Sequence, residues 1–163
     1  MSMTIRDERP GEEPAIRELV EAAFGGSAEA DLVDRLRADG DAIVSRVAVE
    51  GGSILGIVVF SRLTAPFRAL ALAPLAVRPE RQGTGIGSRL VRDGLTRAAE
   101  LGWDGVFVLG EPRFYGRFGF DAALAEGFRS PYGGPHLMAI GLAGILPAAE
   151  GRLDYPPAFA ALG

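Results

Sequence analysis

The sequence predicts an α+β fold in which helices flank a mixed, mostly antiparallel sheet. Two runs rich in β-branched residues, AIVSRVAVE (42–50) and SILGIVVFSRL (53–63), are joined by Gly51 and Gly52, a pattern typical of a β-hairpin. Before and after this hairpin, apolar residues recur at the spacing of amphipathic helices. A glycine-rich loop at 82–88 connects a further apolar strand to the last of these helices.

The composition is that of a soluble globular protein. The 163 residues, 48% hydrophobic and 23% charged, suit a single domain spanning 1–163. A net charge of −4 argues against a nucleic acid partner. The chain has no cysteine, which excludes disulfides and thiolate nucleophiles, and its single histidine, His136, argues against a histidine-built metal site. We therefore expect no bound metal.

No targeting or membrane segment is evident in the sequence. The N-terminal residues MSMTIRDERPGEE lack the apolar core of a signal peptide. No later apolar run is long enough to cross a bilayer. We expect a cytoplasmic protein without a membrane partner.

The first forty residues are predicted to form a strand and two helices. The strand spans residues 3–6, and the first helix carries Pro14 in its first turn. Gly25 and Gly26 interrupt that helix, and Ser27 is positioned to cap the second. The faces predicted to be buried carry Ile16, Leu19, Val20, Ala23 and Phe24 in the first helix and Leu32, Val33 and Leu36 in the second.

After the hairpin, RALALAPLAV (68–77) continues the same sheet. Pro74 marks an edge, a bulge or a splayed strand there, because proline cannot donate to a central ladder. The helix that follows the glycine loop is predicted to end at Gly102, and DGVFVLG (104–110) is a short buried strand. The apolar face of this helix carries Ile86, Leu90, Val91, Leu95, Ala98 and Leu101.

The last third of the chain alternates short elements with loops. EPRFYGRFGF (111–120) is predicted to form one or two helical turns that close at Gly119. HLMAIGL (136–142) is a last strand, and YPPAFAALG (155–163) an irregular tail.

The glycine loop has the features of a phosphate-binding turn. Gly83, Gly85 and Gly87 alternate between a strand and a helix, where unpaired backbone N–H groups and the helix dipole favour an anion. Four arginines surround the loop against only Glu80: Arg78, Arg81, Arg89 and Arg92. The alternative is a tight strand–helix turn with solvated arginines.

The two commonest nucleotide loops do not explain this one. A Walker loop is absent, because no Gly-Lys-Ser or Gly-Lys-Thr follows the glycines. The dinucleotide fingerprint fits poorly: the third glycine comes too early, and no acidic residue stands at the expected distance. The flanking strands are also interpreted as antiparallel, which is unlike a βαβ unit.

Two motifs resemble the GNAT superfamily of acetyl-CoA-dependent N-acetyltransferases. Residues 82–87, QGTGIG, match its Gln/Arg-x-x-Gly-x-Gly signature. PLAVRPERQGTGIGSRLV (74–91), followed by VLGEPRFYGRFGF (108–120), resembles one bacterial branch. The similarity extends from about residue 3 to beyond residue 136 and is most specific over 75–120.

The resemblance implies a three-layer α/β arrangement with acetyl-CoA as co-substrate. The fourth and fifth strands, here 69–77 and 104–110, would splay apart to admit the pantetheine arm. Backbone groups of Leu75, Ala76 and Val77 would hold that arm. The pyrophosphate would be wrapped by Gln82, Gly83, Thr84, Gly85, Ile86, Gly87 and Ser88.

The catalytic candidates are Tyr115 and Glu111. By the resemblance, Tyr115, four residues before Gly119, stands where many such enzymes place a tyrosine near the sulfur of CoA, and a neutral phenol can donate a proton to a thiolate. Alternatively it is a core tyrosine with a satisfied hydroxyl. Glu111 follows a buried strand and could accept the proton of the amine, attract a cationic amine, or cap the next turn. His136 is a further titratable candidate or a structural residue.

The predicted function is transfer of the acetyl group of acetyl-CoA to a primary amine, by direct attack in a ternary complex. The alternative is a non-catalytic acetyl-CoA sensor or regulatory module, because a cofactor loop implies binding and not turnover. The expected partners are acetyl-CoA and an amine-bearing small molecule or peptide, with the chain as a monomer or homodimer. The acceptor itself has no recognisable signature in the sequence.

Overall fold

A computed structural model describes residues 2–162 of the chain, so Gly163 of the predicted tail lies outside the described residues. The strands are β1 (Thr4–Asp7), β2 (Ala42–Glu50), β3 (Ser53–Leu63), β4 (Ala69–Val77), β5 (Gly105–Leu109), β6 (Phe128–Arg129), β7 (Leu137–Gly141) and β8 (Gly151–Arg152). The helices are α1 (Glu13–Phe24), α2 (Ala28–Ala38), α3 (Ile86–Glu100), α4 (Pro112–Tyr115) and α5 (Ala122–Ala125). Three short 3-10 helices span Pro79–Arg81, Gly116–Phe118 and Pro157–Leu162.

The main sheet is mixed and mostly antiparallel, as predicted. Its strand order is β1-β2-β3-β4-β5-β7, and β6 pairs with β8 in a separate two-stranded sheet. The pairs β1–β2, β2–β3 and β5–β7 are antiparallel, whereas β4 and β5 are parallel. The parallel pairs run from Ala69–Gly105 to Leu72–Val108, and β4 continues beyond them to Val77.

The prediction that the strands flanking the glycine loop are antiparallel was wrong. These strands are β4 and β5, and α3 lies between them in the chain. A helix in such a crossover returns the chain to the same end of the sheet, so the second strand runs parallel to the first. The spacing of the glycines and the missing acidic residue remain as arguments against a dinucleotide site.

The described chain groups into two compact units. The first holds the residues up to Ser61, residues 73–94 and the residues from Pro156 onward, and the second holds residues 62–72 and 95–155. In the first unit, α1 and α2 bury the predicted faces, including Leu19, Val20 and Leu36. The exceptions lie at the end of α1, where the left-handed Gly25 (φ 75°) stops the helix: Ala23 is partly exposed, and Phe24 is 45% exposed. Ser27 occupies the N-cap position of α2 without a capping bond from its side chain.

Three aromatic rings pack together in the second unit. Phe67 stacks on Phe107 with ring centroids 6.2 Å apart, and Phe128 packs edge-on against Phe107 at 5.0 Å. Leu101, predicted to continue the buried face of the helix, is 40% exposed because α3 ends one residue earlier. The tail predicted to be irregular contains a 3-10 helix, Pro157–Leu162, in the first unit, where Ala158 and Phe159 are buried.

In the first unit, α3 lies close against the sheet because two glycines leave room for it. A Cβ on Gly56 of β3 would come within 2.9 Å of Leu90 Cδ1 on α3. A Cβ on Gly94 of α3 would come within 2.7 Å of Phe60 Cζ. An ion pair between Arg46 of β2 and Asp93, at 2.7 Å, adds a polar tie. These contacts fix the helix that follows the glycine loop.

We expect Gly94→Ala to destabilise the protein, although alanine is the better helix former. The helix propensity gain is about 1 kcal/mol. It is outweighed because Phe60 is fully buried and cannot move aside, and overpacking of a core costs about 1–3 kcal/mol. Urea unfolding measures the net loss. Combining the change with Phe60→Leu should recover part of the loss, and additive effects of the two changes would contradict the proposed clash.

Candidate active site

The glycine loop begins the longest helix of the chain with two residues in left-handed conformation. Gly83 has φ +77° and Gly85 has φ +90°, values that side chains rarely allow. The helix α3 then begins at Ile86, and Arg89 N donates to Gly85 O at 3.1 Å. The amides of Ile86 and Gly87 precede that first helical bond and therefore point out of the helix end.

This helix end is suited to an anion. The loop residues 82–85 are exposed, and neither Gly83 nor Gly85 has an atom within 4 Å of the position of a Cβ. Positive-φ residues followed by helical amides form a concave surface of N–H groups, and the helix dipole adds partial positive charge. Gly83, Gly85 and the start of α3 thus have the backbone geometry of an anion-binding turn.

Hydrogen bonds hold the loop in this shape. Gln82 Nε2 donates to Val77 O at 3.0 Å, which ties the loop to the end of β4. Thr84 Oγ1 donates to Arg81 O at 2.5 Å, across the turn. The side-chain amide of Gln82 therefore braces the loop, a role that the sequence did not reveal.

Two of the four arginines around the loop are held by other groups of the first unit. Arg81 forms an ion pair with Glu50 at 3.2 Å, and this hydrogen bond lowers the pKa of Glu50. Arg78 Nε donates to Ile54 O at 2.8 Å. The expectation that only Glu80 opposes the arginines was wrong, because two carboxylates distant in sequence also do so: Glu50, at the end of β2, and Glu18, whose Oε1 lies 3.9 Å from Arg78 Nη1. Arg81 and Arg78 thus fasten the loop to the β2–β3 hairpin.

In the second unit, Tyr115 lies at the end of α4 inside a cluster of aromatic rings. Its ring meets Phe114, Phe120 and Phe118 edge-on, with centroids 4.9, 5.7 and 6.4 Å apart. Burial raises the pKa of the Tyr115 phenol to about 12, since the surroundings disfavour a phenolate. The phenol therefore keeps its proton throughout the neutral range.

Glu111 is the N-cap of α4, which is one of the alternatives predicted for it. Its exposed carboxylate accepts a hydrogen bond from Arg113 N at 3.4 Å, and Pro112 occupies the first helical position. Glu111 O also accepts from Tyr115 N at 3.0 Å. Glu111 thus sets the start of the turn that carries Tyr115.

His136 meets the same turn from the start of β7. Gly110 N donates to His136 O at 3.0 Å, and His136 Nδ1 lies 3.1 Å from Gly110 O. The structure therefore gathers the three catalytic candidates of the sequence around Gly110. Gly110 itself was missed, because a glycine after a strand has no local feature that distinguishes it from an ordinary turn residue.

No helix within 2–162 combines the length and apolar character needed to cross a membrane. In the same range, His, Asp and Glu side chains form no group of three or more that could hold a metal ion.

Comparison with known proteins points to one family. Residues 41–122 match the family described as "Acetyltransferase (GNAT) domain". The chain is 41% identical over 126 residues to "Uncharacterized N-acetyltransferase YjhQ" of Escherichia coli (strain K12), covering 72% of this chain and 69% of that protein. It is 38% identical over 136 residues to "Uncharacterized N-acetyltransferase YhbS" of the same strain, covering 81% of each.

Two solved structures of similar proteins hold the coenzyme. The GNAT family N-acetyltransferase YhbS from Escherichia coli, in complex with CoA, has a TM-score of 0.91 and 33% identity and covers 99% of this chain and 93% of that one. A GNAT family acetyltransferase from Brucella melitensis, in complex with acetyl-CoA, has a TM-score of 0.83 and 34% identity, with coverages of 97% and 98%. The chain therefore belongs to the GNAT family of acetyltransferases, whose co-substrate is acetyl-CoA.

Proposed function

We propose that this protein transfers the acetyl group of acetyl-CoA to a primary amine, by direct attack of the amine in a ternary complex. The observation that carries the proposal is the glycine loop, which presents backbone amides at the N-terminus of α3. The family relationship supports the pyrophosphate of acetyl-CoA as the anion that this loop binds. The acceptor amine belongs to a small molecule or a peptide.

The loop and the strand before it bind the coenzyme in this proposal. Residues 82–88 surround the pyrophosphate, and the backbone of Leu75, Ala76 and Val77 holds the pantetheine arm. Bound acetyl-CoA supplies an activated thioester. A backbone N–H at the end of β4 polarises its carbonyl, so no side chain is needed for that task.

Tyr115 is the proposed acid. Its aromatic neighbours hold the ring, and its raised pKa keeps the phenol protonated at working pH. The phenolic O–H donates its proton to the thiolate that leaves when the amine forms the new bond. The resulting phenolate then recovers a proton from water.

Glu111 is the proposed contact for the incoming amine. Its carboxylate is exposed, and a single hydrogen bond of 3.4 Å to Arg113 N leaves acceptor capacity on both oxygens. A carboxylate in this place attracts and orients a cationic amine. Because a nearby water can accept the amine proton, Glu111 need not act as the base.

A thiol-release screen with acetyl-CoA and a panel of primary amines tests the proposed function, alongside calorimetry with CoA alone. We expect CoA to bind and at least one class of amine to accelerate thiol release. Binding of CoA without turnover on polyamines, aminoglycosides, lysine derivatives or peptides would favour a sensor module instead. Absence of CoA binding would contradict the proposal altogether.

We expect Glu111→Gln to raise the KM for a cationic acceptor about two- to fivefold, with little change in kcat, as loss of an exposed ion pair implies. Added salt should reduce the difference from wild type. Glutamine keeps an oxygen for Arg113 N, so the cap should survive. Steady-state kinetics over a range of salt concentrations measures the effect.

Asp121→Asn is the matched control for this change. Asp121 caps α5 by accepting from Ala123 N at 2.9 Å, so the same loss of charge occurs at another cap of the same unit. Its acceptor KM should stay at the wild-type value. A constant KM with a collapsed kcat in Glu111→Gln would instead identify Glu111 as the base.

A further inference from the structure

Gly110 is held on both sides by one residue. Its N–H donates to His136 O at 3.0 Å, and its carbonyl oxygen lies 3.1 Å from His136 Nδ1. Since a carbonyl oxygen can only accept, the hydrogen lies on Nδ1. The imidazole and the main chain of His136 thus form a two-point clamp that fixes Gly110, although the two residues are 26 positions apart.

Gly110 also provides the surface on which the ring of Tyr115 rests. A Cβ on Gly110 would lie 2.9 Å from Tyr115 Cδ2 and closer still to Cε2, where protein side chains are essentially never found. The φ of Gly110 lies outside the left-handed region, so conformation does not demand glycine there. The close approach of the Tyr115 ring does.

We propose that Gly110 and His136 are positioning residues of the acetyl-transfer reaction, which act through Tyr115. The ring of Tyr115 rests against Gly110, and His136 fixes the position of Gly110 relative to α4. The inference rests on the proposed role of Tyr115 as the acid. Proton transfer depends steeply on position, and a displacement of about 1 Å can cost about 100-fold in rate.

Gly110→Ala tests whether Gly110 positions the ring of Tyr115, and Gly116→Ala is its matched control. Gly116 lies one residue after Tyr115, has φ −58°, and has no atom within 4 Å of a Cβ position. We expect Gly110→Ala to lower kcat at least about tenfold while the KM for acetyl-CoA stays constant. Gly116→Ala should match wild type. Equal kcat for Gly110→Ala and wild type would overturn the proposal.

Two substitutions of His136 test its side-chain hydrogen bond to Gly110 O, while Gly110 itself stays unchanged. Asparagine can place an amide nitrogen where Nδ1 stands, because both branch from Cγ, so His136→Asn should retain most of the rate. His136→Leu removes the donor and should lower kcat at constant KM for acetyl-CoA. This contrast also keeps the proposal testable should Gly110→Ala fail to fold. Equal rates for the two variants would show that the side-chain bond has no positioning role.

A titration of Tyr115 separates this inference from the proposed chemistry. The tyrosinate absorbance of wild type minus that of Tyr115→Phe reports the ionisation of Tyr115 alone. In Gly110→Ala and His136→Leu we expect that ionisation to move down from a pKa of about 12, because a displaced ring is more exposed. An unchanged titration would contradict the proposal that Gly110 and His136 position the ring of Tyr115. Unchanged turnover in Tyr115→Phe would show that Tyr115 is not the acid. The titration would still show whether Gly110 and His136 position its ring.

Discussion

Gly87→Glu is expected to abolish the binding of acetyl-CoA while leaving the fold intact. Gly87 lies in the first turn of α3, where a carboxylate is favourable to the helix dipole. The same carboxylate occupies the place proposed for the pyrophosphate and repels it. Gly85→Glu should have the same effect on binding, with an added loss of stability because Gly85 has φ +90°.

Thermal unfolding with and without CoA measures this difference. A ligand at 100 times its Kd stabilises the native state by about 2.7 kcal/mol. For a chain of this size that raises Tm by roughly 5–10 °C. We expect the full shift in wild type and none in either variant.

Ala28→Glu is the control for the added charge. Ala28 is the exposed first residue of α2, so the substitution places the same carboxylate at another helix start of the same unit. This variant should keep the full shift with CoA. If Gly85→Glu and Gly87→Glu also kept it, the assignment of the loop to the pyrophosphate would be wrong.

Tyr115→Phe should lower kcat roughly 100-fold or more while the affinity for acetyl-CoA stays nearly constant. The lower end of the usual contribution of a positioned acid is about 100-fold. Phenylalanine keeps the edge-on contacts to Phe114 and Phe120, so the ring should remain in place. Steady-state kinetics with a competent amine measures the effect.

The raised pKa of Tyr115 predicts the pH dependence of this step. The donor is the protonated phenol, which burial maintains up to a pKa of about 12. The wild-type kcat should therefore show no loss from Tyr115 between neutral pH and about pH 10, where an exposed tyrosine would ionise. A loss of wild-type kcat near pH 10 that is absent from Tyr115→Phe would show that burial does not raise the pKa of Tyr115.

Tyr155→Phe is the matched control. Burial also raises the pKa of Tyr155, and its hydroxyl is hydrogen-bonded to Ser130 in the same unit. Its loss should reduce stability and leave kcat unchanged. If both variants lowered kcat alike, the effect at Tyr115 would be one of packing and not of proton donation.

The periodicity of the sequence predicted which side of each helix is buried, but not how far along the helix the burial extends. Leu19 and Val20 of α1 are buried as expected, whereas Phe24 on the same face is exposed. A 3.6-residue period identifies the side of a helix that faces the core. It carries no information on how far neighbouring segments cover that side, which is decided by tertiary packing.

The composition of β5 does not reveal its direction, because an apolar strand reads the same whether its partner is parallel or antiparallel. The helix between β4 and β5 does carry that information, since a strand–helix–strand crossover pairs its two strands in parallel. The glycine loop was also predictable, because its residues are contiguous and their conformations are local. The pair of Gly110 and His136 was not, since nothing local links residues so far apart in the chain.

The bonds from Gln82 to Val77 and from Thr84 to Arg81 have an entropic consequence. Fixing the backbone of a flexible residue costs roughly 1–2 kcal/mol, so ordering residues 82–88 on binding would cost on the order of 10 kcal/mol. That exceeds the entire binding free energy of a micromolar ligand, about 8 kcal/mol. Here the chain loses this freedom when it folds, so the loop proposed to bind the coenzyme is already ordered before binding.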